Sequence, residues 1–115
     1  MTPARTQAML WILQRGSAAI LALCVAVHLA TMILAVRGGL SSAAILARTQ
    51  GSLAWASFYL LFVVAVAIHA PIGLRNVLRE WGGAGSRSLD VALLALSAGL
   101  LAIGIRAVYA VTVVT

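Results

Sequence analysis

Two histidines, and the residues spaced around them, are the groups in this 115-residue chain that could do chemistry. His69 opens the stretch HAPIGLRNVLREW, which ends at Trp81, where a long apolar run meets a cluster of charge. On a helix, His69, Gly73 and Asn76 share one face at i, i+4, i+7 spacing. A metal-capable imidazole then stands one turn above a residue with no side chain, with Arg75 and Arg79 below it. A flat, carboxylate-bearing cofactor such as haem needs those three parts: a nitrogen ligand, a gap for the ring edge, and guanidinium for the propionates. The same residues also suit an imidazole packed between helices above a stop-transfer cluster of arginine. His28 is the one histidine in another apolar run, and an ionisable group held at such depth is costly enough to be a functional candidate by default.

The elements that must position these groups are membrane helices. Hydrophobic residues make up 63% of the chain and charged ones 9%, against about 25% charged in an ordinary globular domain. Mean hydropathy is +1.11. The spacing predicts one all-α integral membrane domain over residues 1–115, with three transmembrane helices at about 9–36, 53–80 and 89–114. In the first, Gln14-Arg15-Gly16-Ser17 interrupts the apolar pattern, and the 21 residues from Gly16 to Val36 meet the roughly 20 that a span requires. Leu40 to Ser52 is a connector in which Ser41-Ser42 can cap a short amphipathic turn, Ala43 to Arg48, lying in the interface. The second run, Leu53 to Leu74, continues as helix to Trp81. Gly82 to Ser88 reads as a turn with Ser86 or Ser88 as cap, and Asp90 suits a first helical turn. In the third run Ala95, Ala98, Gly99, Ala102 and Gly104 are small residues of the kind that let helices approach closely.

All eight basic residues are arginine, and the net charge is +6. They flank apolar runs instead of forming one basic face, so they read as topology signals and not as a nucleic-acid surface. Arg5, Arg15, Arg75, Arg79 and Arg87 fall on one side, Arg37 and Arg48 on the other. The N-terminus is therefore expected in the cytoplasm and the C-terminus outside. No cleavable signal peptide is expected, because the first apolar run is long enough to span. Cys24, the single cysteine, has no partner for an intrachain disulfide and reads as a small core residue. No Ser-His-Asp set, cysteine metal cluster or phosphate loop is present, so the chain is not expected to catalyse a reaction alone.

Helix rise places the two histidines at different depths. His28 lies nine residues before Arg37, roughly 13 Å inside the outer surface, and His69 lies seventeen after Ser52, about 25 Å from the same surface. The offset is roughly 12 Å. Two axial ligands of one haem must stand nearly level, since imidazole–metal bonds are only about 2 Å. His28 and His69 therefore do not share a haem; if both are ligands, each needs a histidine from another chain. Ser17, Leu21, Cys24, His28 and Thr31 form one stripe on the first helix; Phe58, Phe62, Ala65, His69, Gly73 and Asn76 form one on the second. Arg106 lies close enough to the outer surface to snorkel, or to pair with an outer propionate.

These residues resemble the membrane-anchor (cytochrome b) subunits of the succinate dehydrogenase/fumarate reductase family. That family carries a helix-two histidine followed four residues later by glycine, often by arginine two beyond, and by an acidic–aromatic pair near the helix end. His69, Gly73, Arg75, Glu80 and Trp81 match that pattern. A basic-x-Ser element entering helix one is matched by Gln14-Arg15-Gly16-Ser17. The resemblance covers almost the whole chain. It departs at Glu80 for the usual aspartate, at Trp81 where some members carry a quinone-contacting tyrosine, and at Gln14 for the commoner histidine.

The resemblance implies an anchor in the bacterial cytoplasmic membrane that holds an iron-sulfur subunit and a flavoprotein, binds haem b and passes electrons to or from quinone. Arg15 and Ser17 resemble residues lining the quinone pocket, and Trp81 lies where a quinone contact is found. His69 resembles the family's haem ligand, and His28 the extra helix-one ligand of its two-haem class. Two haems would then be shared with a second membrane anchor chain or a copy of this one. The alternative from another class is a haem-free three-helix assembly or transport subunit, with both histidines as interhelical hydrogen bonders.

Overall fold

The computed structural model describes residues 3–82 and 87–114. It contains α1 (Pro3–Arg37), α2 (Ser42–Thr49), α3 (Leu53–Gly82) and α4 (Arg87–Thr112), and no strand among the described residues. α1, α3 and α4 are each long and apolar enough to cross a membrane. Of the turn expected at Gly82 to Ser88, residues 83–86, with the candidate cap Ser86, lie outside the described residues.

α1 is longer than its apolar pattern suggests. It begins at Pro3, whose fixed φ and missing N–H suit a first helical position, and runs unbroken through Gln14-Arg15-Gly16-Ser17. Gln and Arg are good helix formers, and Ser17 disposes of its hydroxyl by donating to the Gln14 carbonyl at 3.1 Å. At about 1.5 Å per residue this helix is roughly 52 Å long, well beyond a hydrocarbon core of about 30 Å.

α3 is the central element, packing against α1 on one side and α4 on the other. Its N-terminus is capped by Ser52, whose Oγ accepts from the Trp55 amide at 3.2 Å. Trp55, Phe58, Tyr59 and Phe62 then form a continuous ring cluster, with Trp55 and Tyr59 stacked at 5.7 Å. Tryptophan and tyrosine are the residues favoured at a membrane interface. Further along, Pro71 lies inside the helix and has no N–H to give the Ala67 carbonyl four residues back. Ser97 of α4 supplies the missing donor: its Oγ donates to the Ala67 oxygen at 2.7 Å. A hydroxyl from a neighbouring helix is one of the few ways to satisfy such a carbonyl where water is scarce.

Most of the small residues singled out on α4 lie off the face that meets α3. Ala95, Ala98 and Ala102 are exposed, and nothing approaches the place of a Gly99 side chain. Contact runs instead along Leu93, Ser97, Gly104 and Val108, at spacings of a turn or two. Only Gly104 serves close approach: a methyl there would overlap the Val63 side chain.

α2 ties the far end together. Ser41 caps it, accepting from the Ala44 amide at 3.1 Å, as the connector pattern predicts. Thr49 Oγ1 lies 2.6 Å from the Val111 carbonyl and 3.1 Å from that of Ile45, and its single proton belongs with the nearer. The Gly51 amide donates to the Thr112 carbonyl at 2.8 Å, from a backbone with φ +73° that glycine adopts without strain. Two carbonyls that the end of α4 would leave bare are thus closed by the last residue of α2 and the loop after it.

Candidate functional site

The seam between α1 and α3 carries the chemistry. Ser17, Leu21, Cys24, His28 and Thr31 are buried or half-buried along one face of α1, the stripe that helical periodicity picks out. Cys24 is a free, buried thiol. Opposite, α3 presents His69 and Gly73 to the N-terminal half of α1 and Tyr59 and Phe62 to its C-terminal half.

At one level, Nδ1 of His69 lies 3.4 Å from Ser17 Oγ, a long hydrogen bond. Ser17 is only 5% exposed. One turn along α3, a methyl group on Gly73 would stand 3.2 Å from Gln14 Nε2, so the glycine receives the glutamine side chain. The Gln14 Oε1 beside it is buried with no partner among the described residues.

At the other level, the His28 ring meets Tyr59 and Phe62 edge-on, at centroid distances of 6.0 and 5.8 Å. Its Nδ1 is buried and has no hydrogen-bond partner among the described residues. Leaving such a group bare costs about 1–3 kcal/mol. The His28 side chain lines a cleft of about 350 Å³, with Thr31, Arg48, Thr49 and Tyr59 as its other polar residues and Phe62, Met32 and aliphatic side chains as the remainder.

The contacts fix the register of the two histidines. His69 meets Ser17, eleven residues before His28 on α1; His28 meets Phe62, seven residues before His69 on α3. At about 1.5 Å per residue the imidazoles stand roughly 10–17 Å apart along the helices, in line with the offset expected from helix rise. Among the described residues no group of three or more His, Cys, Asp or Glu side chains converges. Each level therefore offers one imidazole from this chain.

The other expected site residues are more dispersed. Arg75 Nε lies 3.2 Å from Asp90 Oδ1, joining the end of α3 to the first turn of α4. With the side chains 22% and 52% exposed, this pair is worth at most about 1 kcal/mol. Arg15 is exposed, its guanidinium 5.5 Å from the Trp11 ring centroid, while Ser17 points inward; the structure does not bring the two together. Trp81, in the last turn of α3, is 84% exposed. Arg106 lies over the Tyr109 ring at 5.9 Å.

Sequence reasoning passed over three residues that the structure makes important. Gln14, read as part of the polar interruption of the first run and as a departure from a motif, fills the space opposite Gly73. Arg48, read as a topology signal, lines the His28 cleft. Ser97 answers Pro71, and the proline itself was the available signal, since a proline within a span always frees a carbonyl.

Fold and seam together define a multi-pass membrane protein built on three long apolar helices, with two histidines on the α1–α3 seam. Comparison with known families agrees: the sequence model of the succinate dehydrogenase/fumarate reductase transmembrane subunit matches residues 1–113. The chain belongs to that family, as its resemblance at His69, Gly73 and Arg75 implies. Neither the curated proteins nor the solved structures contain a match.

Proposed function

We propose that this membrane anchor is the haem b-binding subunit of a succinate:quinone or quinol:fumarate oxidoreductase, with its N-terminus on the cytoplasmic face of a bacterial membrane. The observation that carries the reading is the pair of imidazoles on the α1–α3 seam, offset by several helical turns. The donor set fits haem. His28 has a buried ring nitrogen without a partner, beside a cleft walled by Tyr59 and Phe62 and edged by the Arg48 cation. His69 has one nitrogen engaged by Ser17, so the other is available as a ligand. Haem b, bound by these nitrogens, would supply a one-electron carrier within the bilayer.

In this reading His69 holds the inner haem and His28 the outer. Each is completed by a histidine from a second anchor chain or a copy of this one, because the two histidines here stand too far apart to share an iron. Arg75 is the inner-side cation nearest His69 along α3 and would face the inner propionates; Gly73 keeps the seam narrow below the imidazole. Arg15, at the bilayer edge beside Trp11, would stabilise negative charge developing on quinone. Trp81 and Arg79, at the same end, form the docking surface for the iron-sulfur subunit, which links the anchor to the flavoprotein.

The test is a reduced-minus-oxidised absorption spectrum of the purified complex, followed by redox titration of His69→Ala and His28→Ala. The expected result is a b-type α band, with each variant removing a different component. No α band sinks the haem reading and leaves a haem-free assembly or transport anchor. An unchanged haem content in His28→Ala makes His28 a packing residue and the complex a single-haem one.

A further inference from the structure

Ser17 has a role that its resemblance to a quinone-pocket residue does not supply. Its side chain is 5% exposed and lies between two groups: the Gln14 carbonyl at 3.1 Å and His69 Nδ1 at 3.4 Å. A serine hydroxyl has one proton to give and two lone pairs with which to accept. The carbonyl can only accept, and it is the nearer partner, so the proton goes to Gln14. Toward His69 the oxygen is left presenting a lone pair. The imidazole can meet that lone pair only with a proton on Nδ1. A neutral imidazole with Nδ1 protonated has its lone pair on Nε2.

We propose that Ser17 is a positioning residue that holds His69 in its Nδ1–H tautomer, with Nε2 unprotonated and free to bind a metal. Deepening the haem reading, this inference also stands on geometry in the chain alone. The arrangement is the usual one for a ligating histidine, whose second nitrogen donates to an oxygen that fixes tautomer and ring orientation. The oxygen here belongs to a neutral hydroxyl anchored one helical turn away on its own helix. α1 therefore orients a ligand carried by α3, and any slide of one helix against the other changes the ring's presentation.

The two histidines contrast in this respect. His28 Nδ1 has no hydrogen-bond partner among the described residues, so no such bond selects a tautomer there. His69 is set in advance. The His69 level is thus the preorganised one.

The experiment is ¹⁵N NMR of histidine-labelled full-length chain in detergent without haem, with the His69 signal assigned by its loss in His69→Ala. Protonated and unprotonated ring nitrogens resonate in separate ranges, so the tautomer is read directly. The expected result is protonated Nδ1 and bare Nε2 in the unsubstituted chain. Ser17→Ala should release that preference and weaken haem retention in the assembled complex roughly 10- to 100-fold, the usual cost of losing such an outer partner. Ser17→Thr, which keeps the hydroxyl, should restore both. A His69 protonated on Nε2 in the unsubstituted chain overturns the proposal, and so does a tautomer that Ser17→Ala leaves unchanged. The haem-free measurement decides the role of Ser17 by itself, whereas a complex lacking the b-type band refutes only the haem reading.

Discussion

Ser97→Ala should destabilise the chain by about 1–2 kcal/mol, and the loss should depend on Pro71. The substitution removes the 2.7 Å bond from Ser97 Oγ to the Ala67 carbonyl. Interhelical hydrogen bonds in membrane proteins average about 0.6 kcal/mol and reach about 1.7. This one belongs near the top of that range, because its acceptor has no intrahelical donor: Pro71 stands where the N–H should be. A buried carbonyl left bare costs about 1–3 kcal/mol. Pro71→Ala returns the N–H, so in that background Ser97→Ala should cost only a few tenths of a kcal/mol, within the ordinary range of small effects. A double-mutant cycle measured by reversible unfolding in detergent then yields a coupling of about 1 kcal/mol. Equal costs of Ser97→Ala in the two backgrounds would refute the reasoning, since the serine would then be doing something unrelated to the freed carbonyl.

Gly104→Ala should cost about 1–3 kcal/mol by overpacking, because the new methyl overlaps Val63, whose β-branched side chain has one favoured rotamer in a helix; thermal unfolding checks it. Ala98→Leu, on the exposed face of α4, should leave that transition unchanged. Asp90→Asn should lower stability by no more than about 1 kcal/mol, with the difference shrinking at high salt, as expected of a partly exposed ion pair. Arg15→Leu should slow quinone reduction while haem content and succinate oxidation with an artificial acceptor stay normal; unchanged quinone kinetics would remove Arg15 from that site.

Much of the seam was legible because it depends only on helix geometry. A period of 3.6 residues selects Ser17, Leu21, Cys24, His28 and Thr31 as one face, and that face is the one turned inward. The fixed rise per residue separates His28 from His69 whatever the tilt of the helices. The packing face of α4 was not legible. In lipid both faces of a helix are apolar, so hydrophobicity does not distinguish the side that meets protein from the side that meets acyl chains. Ala95, Ala98 and Ala102 were small enough to suit an interface but are exposed within this chain. The Arg75–Asp90 pair was hidden for a different reason: it spans fifteen residues and a loop, and neither partner's pattern names the other. Gln14 was hidden by its chemistry, since an amide at the end of a span suggests the interface sooner than a groove against Gly73.

The loop after α2 has a consequence for biogenesis. Thr49 and Gly51 hold the carbonyls of Val111 and Thr112, which lie more than sixty residues later in the chain. During synthesis that loop has been made, and α3 has already inserted, before its acceptors exist. Until α4 has crossed, the Thr49 hydroxyl can donate only to the Ile45 carbonyl of its own helix, and the Gly51 amide lacks its Thr112 acceptor. These two bonds can therefore close only after α4 is in place. A protease site placed in the loop should be cut readily in ribosome-bound chains halted after α3, and should become protected once α4 arrives.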